Sequence, residues 1–226
     1  KNAKNQQGAV EFLKENGKTD CAYLNKAFPG AITALAKKGI VVVTKEQLLR
    51  DPYKSVTAEK TERTLTIDQA RAVQKIQTDE RVAQLLHGVT GSGKTEIYLT
   101  LIGRCLREGK SSIFLVPEIS LTPQMLSQLR ARFGKNAAIL HSGLSAGERF
   151  DEWDRIFSGS AKVVLGARSA IFAPLENIGA IIIDEEHDSS YKSEAVPKYD
   201  AKEIAKKIAI ENNCPLVLGS ATPDLI

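Results

Sequence analysis

VAQLLHGVTGSGKTEIYL (Val82–Leu99) runs from an apolar segment through three glycines in six residues into a helix-like stretch. Its centre, GVTGSGKT (Gly88–Thr95), fits G-x-x-x-x-G-K-[ST] in the strand–loop–helix setting that the pattern needs. Glycines let the backbone curl so that successive N–H groups point at phosphate oxygens, and the helix that follows adds its positive end. Gly88, Thr90, Gly91, Ser92 and Gly93 are therefore expected to cradle ATP. Lys94 is expected to bridge the β- and γ-phosphates, and the Thr95 hydroxyl to ligate Mg²⁺.

Outward from this loop, apolar runs recur at Val82–Leu86, Ile113–Val116, Ala138–Leu140, Val163–Leu165, Ala180–Ile183 and Leu216–Leu218. Helix-like stretches such as Lys94–Glu108 and Pro123–Phe133 lie between them. Strands that are apolar throughout belong in a parallel sheet covered on both faces, and the alternation predicts an open α/β sandwich. The run IIIDEEH (Ile181–His187) is a buried strand ending in acids. Open α/β sheets bind ligands at strand C-terminal ends, so Asp184 is expected to hold Mg²⁺ through water and Glu185 to deprotonate the attacking water. A small P-loop kinase is the alternative. His187 directly after the acids, and SAT (Ser220–Thr222) after another apolar run, suit a coupling role better than an acceptor site.

The segment before the sandwich reads as three short helices, Gln7–Glu15, Asp20–Ala27 and Pro29–Lys38, then a β-branched strand, Ile40–Thr44. This order predicts a winged-helix domain over 1–50, with a generic three-helix packing domain as the other reading. Residues 51–64 are polar, without periodicity, and read as a linker. The third unit is 65–226. Residues 1–64 hold 12 Lys+Arg against 7 Asp+Glu, a balance of +5, whereas the whole chain of 226 residues carries +4. A basic small unit beside a near-neutral large one points to a polyanion partner. No run of 18 apolar residues occurs, so no membrane span is expected. Three scattered cysteines fit reduced thiols in a cytosol. Residue 1 is Lys, so the chain is expected to be a piece of a longer protein.

The strings LLHGVTGSGKTEIYL, LVPEISLTPQ, LHSGLSAGER, GARSAIFAP, IIIDEEHDSSYK and LGSATPD, in this order over 66–226, resemble superfamily 2 helicases. More narrowly, they resemble the primosomal replication-restart helicases. The resemblance implies an α/β RecA-like P-loop lobe preceded by a small winged-helix domain. It implies that Gln69 reads adenine, and that Pro117–Gln124, with Pro117 and Thr122, and Gly166–Pro174, with Arg168 and Ser169, follow single-stranded DNA. Tyr191 and Lys192 would sense DNA from an aromatic-rich loop, and Ser220 and Thr222 would couple nucleotide state to DNA grip. That family's loop ends in an Arg-Tyr pair with a later Arg. Here Lys198-Tyr199 and Lys202 stand there, and Lys cannot copy the planar fork of Arg.

The parent protein implied is a bacterial, cytoplasmic, monomeric 3′–5′ DNA helicase that uses ATP and Mg²⁺. Forked and single-stranded DNA, other primosome proteins and single-strand-binding protein are its expected partners, and zinc belongs only to a module outside this sequence. The chain itself is expected to bind nucleotide and DNA weakly without efficient turnover. The rival reading is a DNA- or protein-binding platform with no turnover of its own.

Overall fold

A computed structural model of the chain describes residues 2–44, 64–78 and 82–223. Two compact units divide the chain, Lys1–Leu48 and Leu49–Ile226. The first holds α1 (Asn2–Asn16), α2 (Cys21–Ala27) and α3 (Ala31–Lys37). Ala9, Leu24, Ala31, Ile32 and Leu35 form its small core, with Phe12, Leu13 and Phe28 packed around them. Asp20 caps α2 by accepting from the N–H groups of Ala22 and Tyr23.

The strand expected over Ile40–Thr44 does not form among the described residues, and Ile40, Val42 and Val43 are exposed. β-Branched residues favour extension, but a strand also needs a partner for its backbone groups. Here the Ile40 N–H is used otherwise. It donates to Leu35 O at 3.0 Å behind Gly39 at φ 68°, which closes the end of α3. Of the stretch 51–64 read as a linker, only Thr64 lies among the described residues.

The second unit runs α4 (Ile67–Thr78), β1 (Ala83–His87), α5 (Lys94–Arg107), β2 (Ser111–Leu115), α6 (Pro123–Phe133), β3 (Ala137–Leu140), α7 (Ala146–Phe157), β4 (Val163–Gly166), β5 (Ile178–Ile183), α8 (Ala201–Glu211) and β6 (Leu216–Ser220). The six strands make one sheet in the order β1-β6-β5-β2-β4-β3, every pair parallel. β2, β3 and β4 are buried along their whole length. Ile181, Ile182 and Ile183 of β5 are fully buried, each contributing on the order of 1.5–3 kcal/mol of apolar transfer. β1 departs from the expected two-sided cover. It is an edge strand whose burial alternates, leaving Leu85 54% exposed.

At the other edge, α7 blocks β3. Fully buried Glu152 accepts the Ile139 N–H at 2.8 Å, and Arg155, bonded to Glu152, donates to Lys135 O at 2.6 Å and Ala137 O at 3.0 Å. Outward backbone groups of the edge strand are thus satisfied by two side chains rather than left as a template for another strand. Because all strands are parallel, the loops after β1, β2, β3, β4, β5 and β6 gather at one edge of the sheet.

Candidate nucleotide and nucleic-acid site

The loop after β1 is shaped by its glycines. Gly91 and Gly93 lie at φ 81° and 85°, where other residues are strained. A Cβ at Gly93 would sit 2.3 Å from Gln69 Nε2. Gln69 is thus pressed against the loop, donating to Ser92 O at 3.1 Å while accepting the Thr66 N–H at 3.0 Å. Gly88 is tight for another reason, since a Cβ there would lie 2.8 Å from Ser92 Oγ. Thr90, Gly91 and Ser92 are exposed and Thr95, first residues into α5, is half-buried. Lys94 is buried and its Nζ donates to Gly88 O at 2.7 Å. An entering phosphate would take over that donor.

Asp184, just past β5, is held from two sides. Tyr98 of α5 donates its hydroxyl to Asp184 Oδ1 at 3.0 Å, and Tyr191 donates to Asp184 O at 2.6 Å. Burial pushes the Asp184 carboxyl up from its ordinary value, while the Tyr98 hydroxyl opposes the shift and Glu185 adds to it. Burial, then Asp184, drives the Tyr98 phenol upward, so it remains a donor. Gly219 of β6 makes the contact possible, because a Cβ there would fall 1.7 Å from Tyr98 Oη. Glu185 has φ 47°, a left-handed conformation costly for a residue with a side chain and common at functional sites. Glu186 is buried and paired with Lys202 of α8 at 3.5 Å.

The loops after β5 and β6 are joined. His187 Nδ1 lies 3.0 Å from Ser220 Oγ and 3.8 Å from Glu185 Oε2, and the Thr222 N–H donates to Ser220 Oγ at 3.1 Å. The Glu186 N–H donates to Gly219 O at 2.9 Å. No group of three or more His, Cys, Asp or Glu able to hold a metal occurs among the described residues. One carboxylate and one threonine hydroxyl fit Mg²⁺, which keeps several waters and takes the rest of its ligands from phosphates.

The residues expected along DNA divide into three groups. Ser169, Lys192 and Thr122 are exposed, the last also capping α6 by accepting the Met125 N–H at 3.3 Å. Arg168 is partly committed. Its Nη1 donates to Ser190 O at 3.1 Å and to Lys192 O, and its guanidinium lies 5.4 Å from the Tyr199 ring centroid. Two expectations fail. Tyr191 is fully buried and tied to Asp184, so it cannot touch DNA as a sensor. Pro117 is buried too, where it shapes the turn Glu118–Ser120 through the 2.8 Å Ser120 N–H bond to its carbonyl. Sequence reading missed Tyr98, Glu118 and Glu186, and it did not foresee that Lys202 pairs with Glu186. Glu118 accepts the Ser142 N–H at 3.0 Å and the Ser142 hydroxyl, and that hydroxyl holds its carboxyl below the ordinary range. The tyrosine in KTEIYL carried no signal, because a core role and a site role look alike in an amphipathic helix.

The DEAD/DEAH box helicase family matches residues 66–225. The chain is 50% identical to Replication restart protein PriA of Bacillus subtilis, over 99% of this chain and 29% of that protein. It is 41% identical to Replication restart protein PriA of Haemophilus influenzae, over 100% of this chain and 32% of that protein. The chain thus spans less than a third of these relatives' length. Among solved structures, RecG bound to a three-way DNA junction aligns with a TM-score of 0.53 at 22% identity, covering 96% of this chain and 26% of that one. At that identity the likeness speaks for the fold alone.

Proposed function

The chain belongs to the DEAD/DEAH box helicase family, and from that premise we propose that it is the nucleotide-binding lobe of an ATP-dependent 3′–5′ DNA helicase that restarts replication. Forked and single-stranded DNA would be its nucleic-acid partners, primosome proteins and single-strand-binding protein its protein partners, and a bacterial cytoplasm its compartment, with a monomer as the working unit. Zinc would belong only to a further module of such a protein. The observation that carries the reading is the junction of a glycine-shaped P-loop with a tyrosine-held Asp184 and a His187–Ser220 bond at one sheet edge.

In this reading Lys94 leaves Gly88 O for the β- and γ-phosphates, and Gln69 takes the adenine beside the loop. Thr95, and Asp184 through water, would hold Mg²⁺, which would supply charge neutralisation on the phosphates. Glu185 accepts a proton from the attacking water. The His187–Ser220–Thr222 link passes the state of the loop after β5 to the loop after β6, and Lys192, Ser169 and Thr122 offer donors to a DNA backbone.

We further propose that this chain alone turns over ATP slowly. Three arginines of this unit are already engaged: Arg132 with Glu96 and with Thr100 at 3.1 Å, Arg155 with Glu152, and Arg168 with Ser190. An arginine brought to a γ-phosphate from a neighbouring element is worth roughly 10³–10⁵ in rate. Steady-state ATPase of the chain with and without forked DNA tests this, with Lys94→Ala as control. Slow turnover, lowered at least another ~10²-fold in Lys94→Ala, is expected. Turnover near ~1 s⁻¹, an ordinary enzyme rate, would point to a self-contained NTPase.

A further inference from the structure

Two helices of the second unit carry glutamate at the same place, the third residue of the helix: Glu148 in α7 and Glu96 in α5. A glutamate there ordinarily turns back toward the N–H groups that a first turn leaves open. Glu148 does so, accepting the Ser145 N–H at 2.9 Å and the Ser145 hydroxyl at 2.7 Å. Glu96 makes no such return bond among the described residues. Instead Arg132 Nη1, from the last turn of α6, donates to Glu96 Oε1. Arg132 Nη2 donates to Thr100 Oγ1 at 3.1 Å, one turn further along α5.

The two helix ends have different work. The start of α7 is closed by its own side chains. The start of α5 is the phosphate loop, where Gly93 is the N-cap and offers no hydroxyl to share, and Lys94 and Thr95 follow it. A carboxylate in the first turn is an anion at the positive end of the helix, and it stabilises the helix while nothing else is bound there. Phosphate is drawn to the same N–H groups by the same field, so an unpaired Glu96 would compete with it. The Glu96 side chain is 14% exposed, so solvent does little to screen its charge.

The cation that meets Glu96 comes from another element. Lys94 is turned the other way, to Gly88 O. Arg132 is held before any ligand arrives, because two of its nitrogens grip two residues on one face of α5, Glu96 and Thr100. Its own place, the last turn of α6, is where a helix favours a cation.

We propose that Arg132 is a positioning residue for phosphate binding: it neutralises Glu96 and keeps that carboxylate off the N–H groups of the loop, which stay open to a nucleotide's phosphates. The proposal rests on the nucleotide-binding reading of the P-loop, and its test separates the two. The chain and its variants are titrated calorimetrically with MgATP, and urea unfolding checks that each variant is folded. Arg132→Ala is expected to bind MgATP about fivefold more weakly, the scale of one helix cap or first-turn charge. Arg132→Gln, which keeps a donor for Thr100 and loses the charge, is expected to lose affinity in the same direction and serves if Arg132→Ala unfolds. Glu96→Ala is expected to bind at least as tightly as the parent chain. The double variant Arg132→Ala, Glu96→Ala is expected to return to within about twofold of the parent. A packing role for Arg132 would give no such rescue, since the double variant lacks the arginine as well.

Parent-like binding in folded Arg132→Ala or Arg132→Gln, or a double variant as weak as Arg132→Ala, overturns the role of Arg132 and leaves the nucleotide reading standing. Weaker binding in Glu96→Ala than in the parent chain overturns it too, since the carboxylate would then assist the phosphates. No binding of MgATP by the parent chain at millimolar concentration sinks the nucleotide reading and the proposal with it.

Discussion

Tyr98 shows how one side chain can serve core and site together. Its ring packs edge-on to Phe114 at 5.4 Å, and its hydroxyl reaches Asp184 only because position 219 is glycine. A hydrogen bond to a charged group contributes about 1.5–3 kcal/mol. Tyr98→Phe is therefore expected to raise the Mg²⁺ concentration for half-maximal nucleotide binding about tenfold while leaving metal-free binding unchanged. Tighter Mg²⁺ binding in that variant would mean that the hydroxyl competes with the metal instead of orienting its ligand. Glu185 is the second case. Its φ of 47° costs on the order of 1 kcal/mol relative to glycine. Glu185→Gln should unfold at the same urea concentration as the parent chain, and Glu185→Gly at a higher one, with hydrolysis lost in both. Equal midpoints for all three would show that the strain is relieved elsewhere. The strand–loop–helix around Gly88–Thr95 and the acids at the end of β5 were legible at this scale because spacing and flanking strands constrain them. The place of Tyr191 was not, because an aromatic in a polar loop reads the same whether it faces solvent or, as here, folds under to Asp184 O.

At the scale of elements, apolar runs marked all six strands to within two residues, and Pro123–Phe133 appeared as a helix with those same bounds. Burial on both faces makes such strands continuous in their hydrophobicity. Where a strand lies at an edge, the signal misleads: VAQLL was read as covered on both faces, but Leu85 is half out. Ile40–Thr44 misled the other way, with β-branched residues and no strand among those described. What protects the β3 edge was not legible, since nothing in the sequence sets Glu152 and Arg155 apart from an ordinary i,i+3 surface pair. Arg155→Ala removes the cation from a fully buried carboxylate and frees the Ala137 carbonyl of the edge strand and the Lys135 carbonyl before it. Removing one partner of a buried pair costs roughly 3–5 kcal/mol, so urea unfolding should show a loss of about 3 kcal/mol. The double variant Arg155→Ala, Glu152→Leu should recover part of it. A loss below about 0.5 kcal/mol, the size of a surface substitution, would show that the pair is no clamp.

At the scale of the whole molecule, the two units differ in what holds them. Among the described residues, the first has a core of five buried residues on three helices, whereas the second buries a six-stranded sheet. Small units bury a smaller share of their surface and are marginal on their own. The cysteines report each unit separately. Cys21 of α2 is half-buried, whereas Cys105 of α5 and Cys214 before β6 are buried. Burial raises both buried thiols, Cys214 up to about 11 from 9.0. The thiolate is the reactive form, so these two combine low access with little thiolate at pH 8. A disulfide reagent is expected to titrate one thiol within seconds and the other two only as the sheet opens. In urea, that slow phase should accelerate over the unfolding transition of the second unit. Amides of α1, α2 and α3 should exchange through a lower-energy opening than those of β2, β4 and β5. The sign of the pH effect follows from the same burial. A thiol whose folded pKa is raised contributes stability below its unfolded pKa, and that contribution is lost as pH climbs from about 9 toward about 11. Cys214→Ala or Cys214→Ser should flatten that alkaline loss in the second unit and leave the exchange of α1–α3 unchanged. Simultaneous reaction of all three thiols in native buffer would contradict the burial of Cys105 and Cys214, and with it the closed packing of α5 against the sheet.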